Sequence, residues 1–340
     1  MLVCGVLASA ILSGCREGSL TAAHAEQAIV GSTMGTYFRV TLYARPLGLT
    51  DETVQAAVED PLARVDALMS TYREDSEVSR FNRSRETDWF PVSSETAVVV
   101  AEALRVFEES EGAFDITVGP LVDLWGFGPS AGTDQIPRPE KIAGLLESIG
   151  SRHLQVRLNP PALKKDLGTL QIDLSGIAKG FAVDAIAEEL EDLGIANYLV
   201  DVGGEMRAGG EKGNGQPWKI AIERPTAGQR SIQSTLALQD RALATSGDYR
   251  NYFEVEGRRY SHEIDPRKGQ PIQHPLVSVS VLDSSCMRAD AWATALIILG
   301  PVEGQALAEK AGLPTVLIIR EGADFREIET AGFTSLTHAP

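Results

Sequence analysis

The stretch from Ile172 to Asp184 constrains the chain most, because its apolar alternation stops at Ser175-Gly176 and gives way to a helical pattern. It reads as a strand that breaks into a helix through small residues. Helix N-termini carry unsatisfied amide protons and about half a positive elementary charge, so such a break suits an anion. Ser175, Gly176 and Lys179 are placed to hold phosphate oxygens there. Asp173 is the odd member, since a carboxylate beside that seat repels phosphate unless it bonds another ligand group or helps order a metal ion. The same residues also spell an ordinary connection, with Ser175 as N-cap and Lys179 solvated.

With 340 residues and 43% hydrophobic content, the chain buries one large core or two smaller ones. A formal net charge of -16, from 47 acidic against 31 basic residues, comes without any Lys/Arg-rich run and argues against nucleic acid as partner. Residues 1–15 form an apolar run too short to span a bilayer and ending in small residues, as in a signal peptide. Leu12-Ser13-Gly14-Cys15 resembles a bacterial lipobox, so Cys15 is expected to be acylated and to become the mature N-terminus. No Lys or Arg precedes the run, which departs from that pattern and leaves an earlier start open. An uncleaved buried helix is the alternative. Residues 16–28 then read as a flexible tether and 29–340 as the folded domain, lipid-anchored in the cell envelope on the periplasmic side of the inner membrane. Cys4 leaves with the signal, Cys15 takes the lipid and Cys286 stands alone, so stability is expected from packing rather than from an intrachain disulfide.

Periodicity predicts a strand over Ile29 to Tyr43 with Met34-Gly35-Thr36 at its start, Met34 serving as core or as a ligand contact. A helix lined by Val54, Val58, Leu62, Val65 and Leu68 is expected to kink or restart at Pro61. Ser70 to Asn82 reads as a loop and short helix, with Tyr72 either at the surface or stacked on a planar ligand. A helix from Ser93 or Ser94 to about Ser110 turns Val98, Ala101, Leu104 and Phe107 inward and ends at Gly112. Gly112 to Pro129 is too rich in glycine, proline and aromatics for a regular element, so it is either a packed loop or a path whose amides meet a heterocycle's edge. Pro139 starts another helix, and strands follow at Leu154 to Leu158 and Leu170 to Leu174. The helix after Ser175 runs to Gly194 with its acidic residues facing water. Asn197 to Val202 is a strand turned by Gly203-Gly204. Beyond it come strands at Trp218 to Glu223, Thr235 to Leu238 and Leu276 to Leu282, a hairpin across Glu256-Gly257, helices at Arg288 to Leu299 and Gln305 to Ala311, and the strand Thr315 to Ile319.

Asp290 and Thr294 stand four apart on a predicted helix, hence on one face. A carboxylate and a hydroxyl presented together are hard oxygen ligands that suit Mg²⁺, which commonly completes its shell with substrate phosphates. They also suit a helix cap and a bond back to the preceding turn. His262 lies near a strand end before an Asp-Pro turn, as a general base, a phosphate contact or a structural histidine. Thr245 to Arg250 adds hydroxyls and a positive charge. Zinc-spaced His/Cys clusters, a Gly-x-Ser-x-Gly elbow and a Walker lysine are absent from the sequence. Together these signals ask for a planar ring, a diphosphate and magnesium, which a flavin nucleotide supplies.

Several separated motifs agree with that ligand: Thr33-Met34-Gly35-Thr36, Ser70-Thr71-Tyr72, Gly112-Ala113-Phe114-Asp115-Ile116-Thr117, Leu124-Trp125-Gly126-Phe127-Gly128 and Ile172 to Gly180. They continue with Val202-Gly203-Gly204, Thr245-Ser246-Gly247, His262-Glu263-Ile264-Asp265-Pro266 with Gly269, and Ala289-Asp290-Ala291-Trp292-Ala293-Thr294. In this order they resemble the FAD:protein FMN transferases, the ApbE family, over nearly the whole mature chain. The resemblance implies an α+β fold of largely antiparallel sheets with interspersed helices, an ApbE-like (T-fold-like) architecture. It implies that Met34, Tyr72 and Ala113-Phe114-Asp115 hold the isoalloxazine end of FAD, while Asp173, Lys179 and the backbone at Ile264 contact the rest. Mg²⁺ would be bound by Asp290, Thr294 and main-chain oxygen at Gly176. Some relatives carry aspartate where this chain has Ala293, and some carry glutamate in place of Lys179, so the metal's side-chain ligand set is smaller here.

The activity implied is transfer of FMN from FAD to a threonine hydroxyl of an acceptor flavoprotein, such as a subunit of a membrane redox complex, with release of AMP. His262 is the first candidate for the base, ahead of Asp265 or Asp173. An FAD pyrophosphatase and a non-catalytic FAD-binding lipoprotein are the alternatives.

Overall fold

The computed structural model describes residues 26–129, 136–213, 215–226 and 231–337, so Cys4, Cys15 and the lipobox lie outside the described residues. Eight strands form one sheet: β1 (Glu26–Thr33), β2 (Thr36–Tyr43), β3 (Tyr198–Val202), β4 (Glu205–Gly209), β5 (Arg241–Gly247), β6 (Leu276–Asp283), β7 (Thr315–Glu321) and β8 (Asp324–Glu329). Each pairs antiparallel with the next, and the other described elements except the C-terminal helix are inserted between them.

Period-two alternation sends successive side chains to opposite faces, and both faces are covered. In β5, Ala242 and Ala244 enter the main core while Leu243 enters a second one; in β7, Leu317 and Ile319 oppose Val316 and Ile318. The main core is closed by helices α1 (Asp51–Met69), α2 (Glu77–Arg83), α3 (Ser94–Glu109), α6 (Ala178–Asp192) and α7 (Cys286–Ala311). Short helices α4 (Gly119–Leu124) and α5 (Pro139–Leu146) pack with Trp125, Tyr260 and Ile264 in a third cluster. The hairpin Trp218–Glu223 with Ile232–Leu238, and helix α8 (Ala331–Thr337), cover the second core. Thr50, Ser76, Ser93 and Ser285 cap α1, α2, α3 and α7, each accepting the N–H three residues on. α7 is long and apolar enough to cross a membrane by length and composition, yet it is a core helix interrupted at Gly300 (φ 82°).

The structure corrects several expectations. The strand predicted over 29–43 is the β1–β2 hairpin, with Met34 (φ 45°) and Gly35 (φ 72°) as its two turn residues. Because β1 begins at Glu26, the end of the predicted tether belongs to the sheet. Pro61 stays inside a continuous α1, its ring buried in the helix's inward face. In α3 the buried face is Ala97, Val100 and Ala103 with Val99 and Val106, while Val98 is exposed; apolar residues all round the helix hid its orientation. Leu170, Ile172 and Leu174 are buried, but their segment is unladdered: the Asn82 side chain bonds both the N–H and the C=O of Ile172, and Asp173 N–H donates to Ile116 O. The ladder lies earlier, where Pro161–Lys165 pairs with Leu154–Leu158. Ser175 is not the cap of α6; its N–H and hydroxyl turn back to Asp173 Oδ1, and α6 starts at Ala178 without a side-chain cap. Among the acidic residues of α6, Asp184 is buried rather than facing water.

Candidate active site

Six segments meet around a cavity of about 690 Å³: the 112–129 loop, the approach to α6, the β3–β4 turn, the end of β5 with residues 248–251, the His262-Glu263-Ile264 segment and the first half of α7. That volume lies in the range of ligand and cofactor sites. Tyr72, Ala113, Phe114, Asp115, Asp173, Gly176, Lys179, His262, Ile264, Asp290 and Thr294 all line it. Met34 does not. Its side chain packs on the main core from the hairpin turn, and Tyr37 reaches the cavity instead.

The centre of the site is where α6 and α7 cross. Asp290, only 3% exposed, accepts the Gly180 N–H through Oδ2 at 3.0 Å, and its Oδ1 lies 3.8 Å from Lys179 Nζ. The same ammonium is 3.3 Å from Glu205 Oε1. Burial alone would lower the Lys179 pKa, but the carboxylates of Asp290 and Glu205 raise it above the usual lysine value, so the ammonium stays charged. Burial pushes both carboxyls up, with Lys179 opposing it. Thr294 Oγ1 lies 3.2 Å from Ser246 Oγ. Gly176 sits between two walls: a Cβ there would lie 3.2 Å from the Phe114 ring and 3.3 Å from Thr294 Oγ1.

One buried carboxylate and a hydroxyl, with the backbone of Gly176 packed beside that hydroxyl, are hard oxygen donors of the kind magnesium takes. The residues fit the ion. Among the described residues, groups of three or more His, Cys, Asp and Glu suited to a metal are absent, so an ion here would take its remaining oxygens from substrate or water. Ala293 is wholly buried and offers no side-chain oxygen.

Other predicted residues take particular roles. The Asp115 carboxylate is consumed internally: Thr117 N–H, Thr117 Oγ1 and Ser151 Oγ donate to Oδ1 at 2.7 to 2.8 Å, so the side chain fixes the loop rather than a ligand. Asp265 is likewise engaged, bidentately by Arg267 at 2.9 Å and by Lys268 at 3.0 Å. Burial raises its pKa, yet these cations overcome that and hold it below its ordinary value, and with both oxygens engaged it is a poor base. His262 Nδ1 lies 3.1 Å from Asn251 O; since a carbonyl only accepts, Nδ1 carries the proton and Nε2 is the basic nitrogen. Tyr72 is 69% exposed at the mouth, its phenol pushed up by partial burial and by the Asp173 and Asp123 carboxylates. Phe127 lines the cavity at the end of an aromatic stack, 5.4 Å from Phe253, which lies 5.3 Å from Tyr260. Glu205 carries no signal in the sequence, because only the hairpin after Gly203-Gly204 brings it to Lys179.

The family model for the ApbE family matches residues 34–317. An FAD:protein FMN transferase of Vibrio cholerae is 46% identical over 95% of this chain and 95% of its own length. One of Salmonella typhimurium is 42% identical over 94% of this chain and 92% of its own. Among solved structures, the flavin transferase ApbE from Vibrio cholerae superposes with a TM-score of 0.85 at 44% identity, covering 92% of this chain and 99% of that one. The apo flavinyl transferase ApbE of Pseudomonas stutzeri gives 0.85 at 40% identity, covering 93% and 98%. The antiparallel α+β architecture is thus shared, and the chain belongs to the ApbE family.

Proposed function

We propose that this chain is an FAD:protein FMN transferase, which moves FMN from FAD onto a threonine hydroxyl of an acceptor protein and releases AMP. The observation that carries this reading is the convergence of Asp290, Thr294, Gly176 and Lys179 on one cavity in a chain of this family. The threonine oxygen attacks the FMN phosphorus, the P–O bond to AMP breaks, and the hydroxyl proton passes to His262 Nε2. Phosphoryl transfer depends on holding nucleophile and leaving group in line while charge on the phosphate oxygens is offset. Lys179, held charged by Glu205, supplies one fixed cation at the cavity wall. Mg²⁺, held by Asp290, Thr294 and the Gly176 carbonyl, would supply Lewis-acid neutralisation of the diphosphate. The ring systems have the Phe114 and Phe127 faces and the exposed Tyr72 to lie against.

Lipid anchoring at Cys15 would hold the enzyme at the periplasmic face of the inner membrane, beside acceptors in membrane redox complexes. The test is incubation of the purified chain with FAD and Mg²⁺, with and without a domain carrying an acceptor threonine. Covalently fluorescent acceptor with stoichiometric AMP supports transfer. Equal AMP and free FMN without acceptor would make the chain a pyrophosphatase, and intact FAD under both conditions a binding protein.

A further inference from the structure

A second carboxylate, outside the cavity, joins the same two helices behind the first. Asp184, 7% exposed in the second turn of α6, accepts Cys286 N–H (3.0 Å) and Arg207 Nη1 (2.9 Å) through Oδ1, and Ser285 Oγ (2.8 Å) and Met287 N–H (3.0 Å) through Oδ2. Two of the otherwise unsatisfied amides at the α7 N-terminus therefore end on one buried anion, which also opposes the positive end of the helix dipole. Ser285 passes the constraint on, since its Oγ also accepts the Arg288 N–H. The pattern is reciprocal: Asp184 of α6 holds the start of α7, and Asp290 of α7 holds the Gly180 N–H at the start of α6.

Gly180 shows how close the two helices are there. A Cβ at that position would lie 2.3 Å from Cys286 O and 2.8 Å from Asp290 Cβ. Cys286 is one turn before Asp290 on the same face, so a rotation of the α7 N-terminus moves the site carboxylate directly. Strand β4 braces both points, with Glu205 on Lys179 and Arg207, two residues on, paired with Asp184.

We infer that Asp184, braced by Arg207, is a positioning residue that sets the rotation of α7 and so aims Asp290 at the metal and diphosphate. This rests on the magnesium assignment made above. Supporting groups behind a metal ligand are commonly worth about 10- to 100-fold in metal affinity. Asp184→Asn keeps the volume but turns one acceptor into a donor that faces donors.

The test measures FAD affinity of the full chain with and without Mg²⁺, and the Mg²⁺ dependence of kcat and KM, below the melting temperature of every variant. Asp184→Asn should raise the Mg²⁺ needed for half-maximal effect by about tenfold or more while leaving metal-free FAD affinity unchanged. Arg207→Lys, which keeps the charge, should fall between it and the parent, and Asp184→Asn should add nothing in an Asp290→Asn background. Leu190→Ala, a core truncation on the same helix, controls for stability alone and should leave the Mg²⁺ requirement in place. If Asp184→Asn does not fold, Ser285→Ala and Arg207→Lys carry the same comparison. A Mg²⁺ requirement that moves no further than in Leu190→Ala would overturn the inference. A parent chain whose FAD affinity ignores Mg²⁺ would overturn the metal assignment itself.

Discussion

Asp290 Oδ2 accepts the backbone N–H of Gly180 at 3.0 Å, joining the first turn of α6 to the second turn of α7 at the floor of the cavity. That bond makes the site carboxylate part of the helix packing as well as of the chemistry. The two contributions separate by substitution. Asp290→Asn keeps an oxygen for Gly180 N–H and loses the charge, so it should fold with little change in melting temperature while Mg²⁺-dependent AMP release falls by about 10²-fold or more. Asp290→Ala should lose both. Retained turnover in Asp290→Asn would remove the carboxylate from the chemistry.

Gly180→Ala should destabilise the fold by about 1–3 kcal/mol, because the added methyl meets backbone of Cys286 rather than a movable side-chain tip. Urea unfolding measures it. An unchanged midpoint would mean that α6 and α7 do not approach as closely as described.

Asp115 and Thr117 act as one unit that ties the 112–129 loop to Gly150, since Thr117 Oγ1 donates to Asp115 and accepts the Gly150 N–H at 2.6 Å. Asp115→Ala strands several buried donors and should cost about 2 kcal/mol or more. Thr117→Val breaks the same network, so the double variant should be less destabilised than the sum of the two. Strict additivity in unfolding experiments would separate them.

Lys165 makes stability depend on alkaline pH. It is 1% exposed, donates to Phe81 O (3.1 Å) and Leu170 O (2.8 Å), and burial, helped by the Arg85 charge, lowers its pKa to about 8. An unfolded lysine titrates near about 10.4, so between these values the unfolded chain binds more protons and stability rises with pH. Below pH 8 the penalty of burying the ammonium is fully present. The neutral amine still donates to both carbonyls. Relative to Lys165→Met, the parent chain should therefore gain stability between pH 8 and 10; a difference independent of pH would refute this.

Asp290 and Thr294 lie on α7 and line one cavity, a juxtaposition legible in the sequence because helix spacing alone places residues four apart on one face. The Gly176 break was also legible, since only small residues allow Phe114 and Thr294 to close on it. Leu170 to Leu174 alternates like a strand, and nothing local reveals that Asn82, far away in sequence, satisfies its backbone instead. Met34 carries the motif but points into the core, because the two-residue turn decides its direction. Asp184 and Glu205 were hidden for a related reason. Each looks like a solvated acid on its own element, and only the arrival of α7 or of Lys179 gives it a partner.

The most direct measurement of the central claim is the position of the metal. Crystals of the full chain grown with FAD and Mn²⁺ in place of Mg²⁺, with anomalous diffraction collected at the manganese edge, locate it without reference to activity. The account predicts one strong peak bounded by the Asp290 carboxylate, the Thr294 hydroxyl and the Gly176 carbonyl, lost in Asp290→Asn. A peak elsewhere in the cavity, or one that survives that substitution, would contradict it.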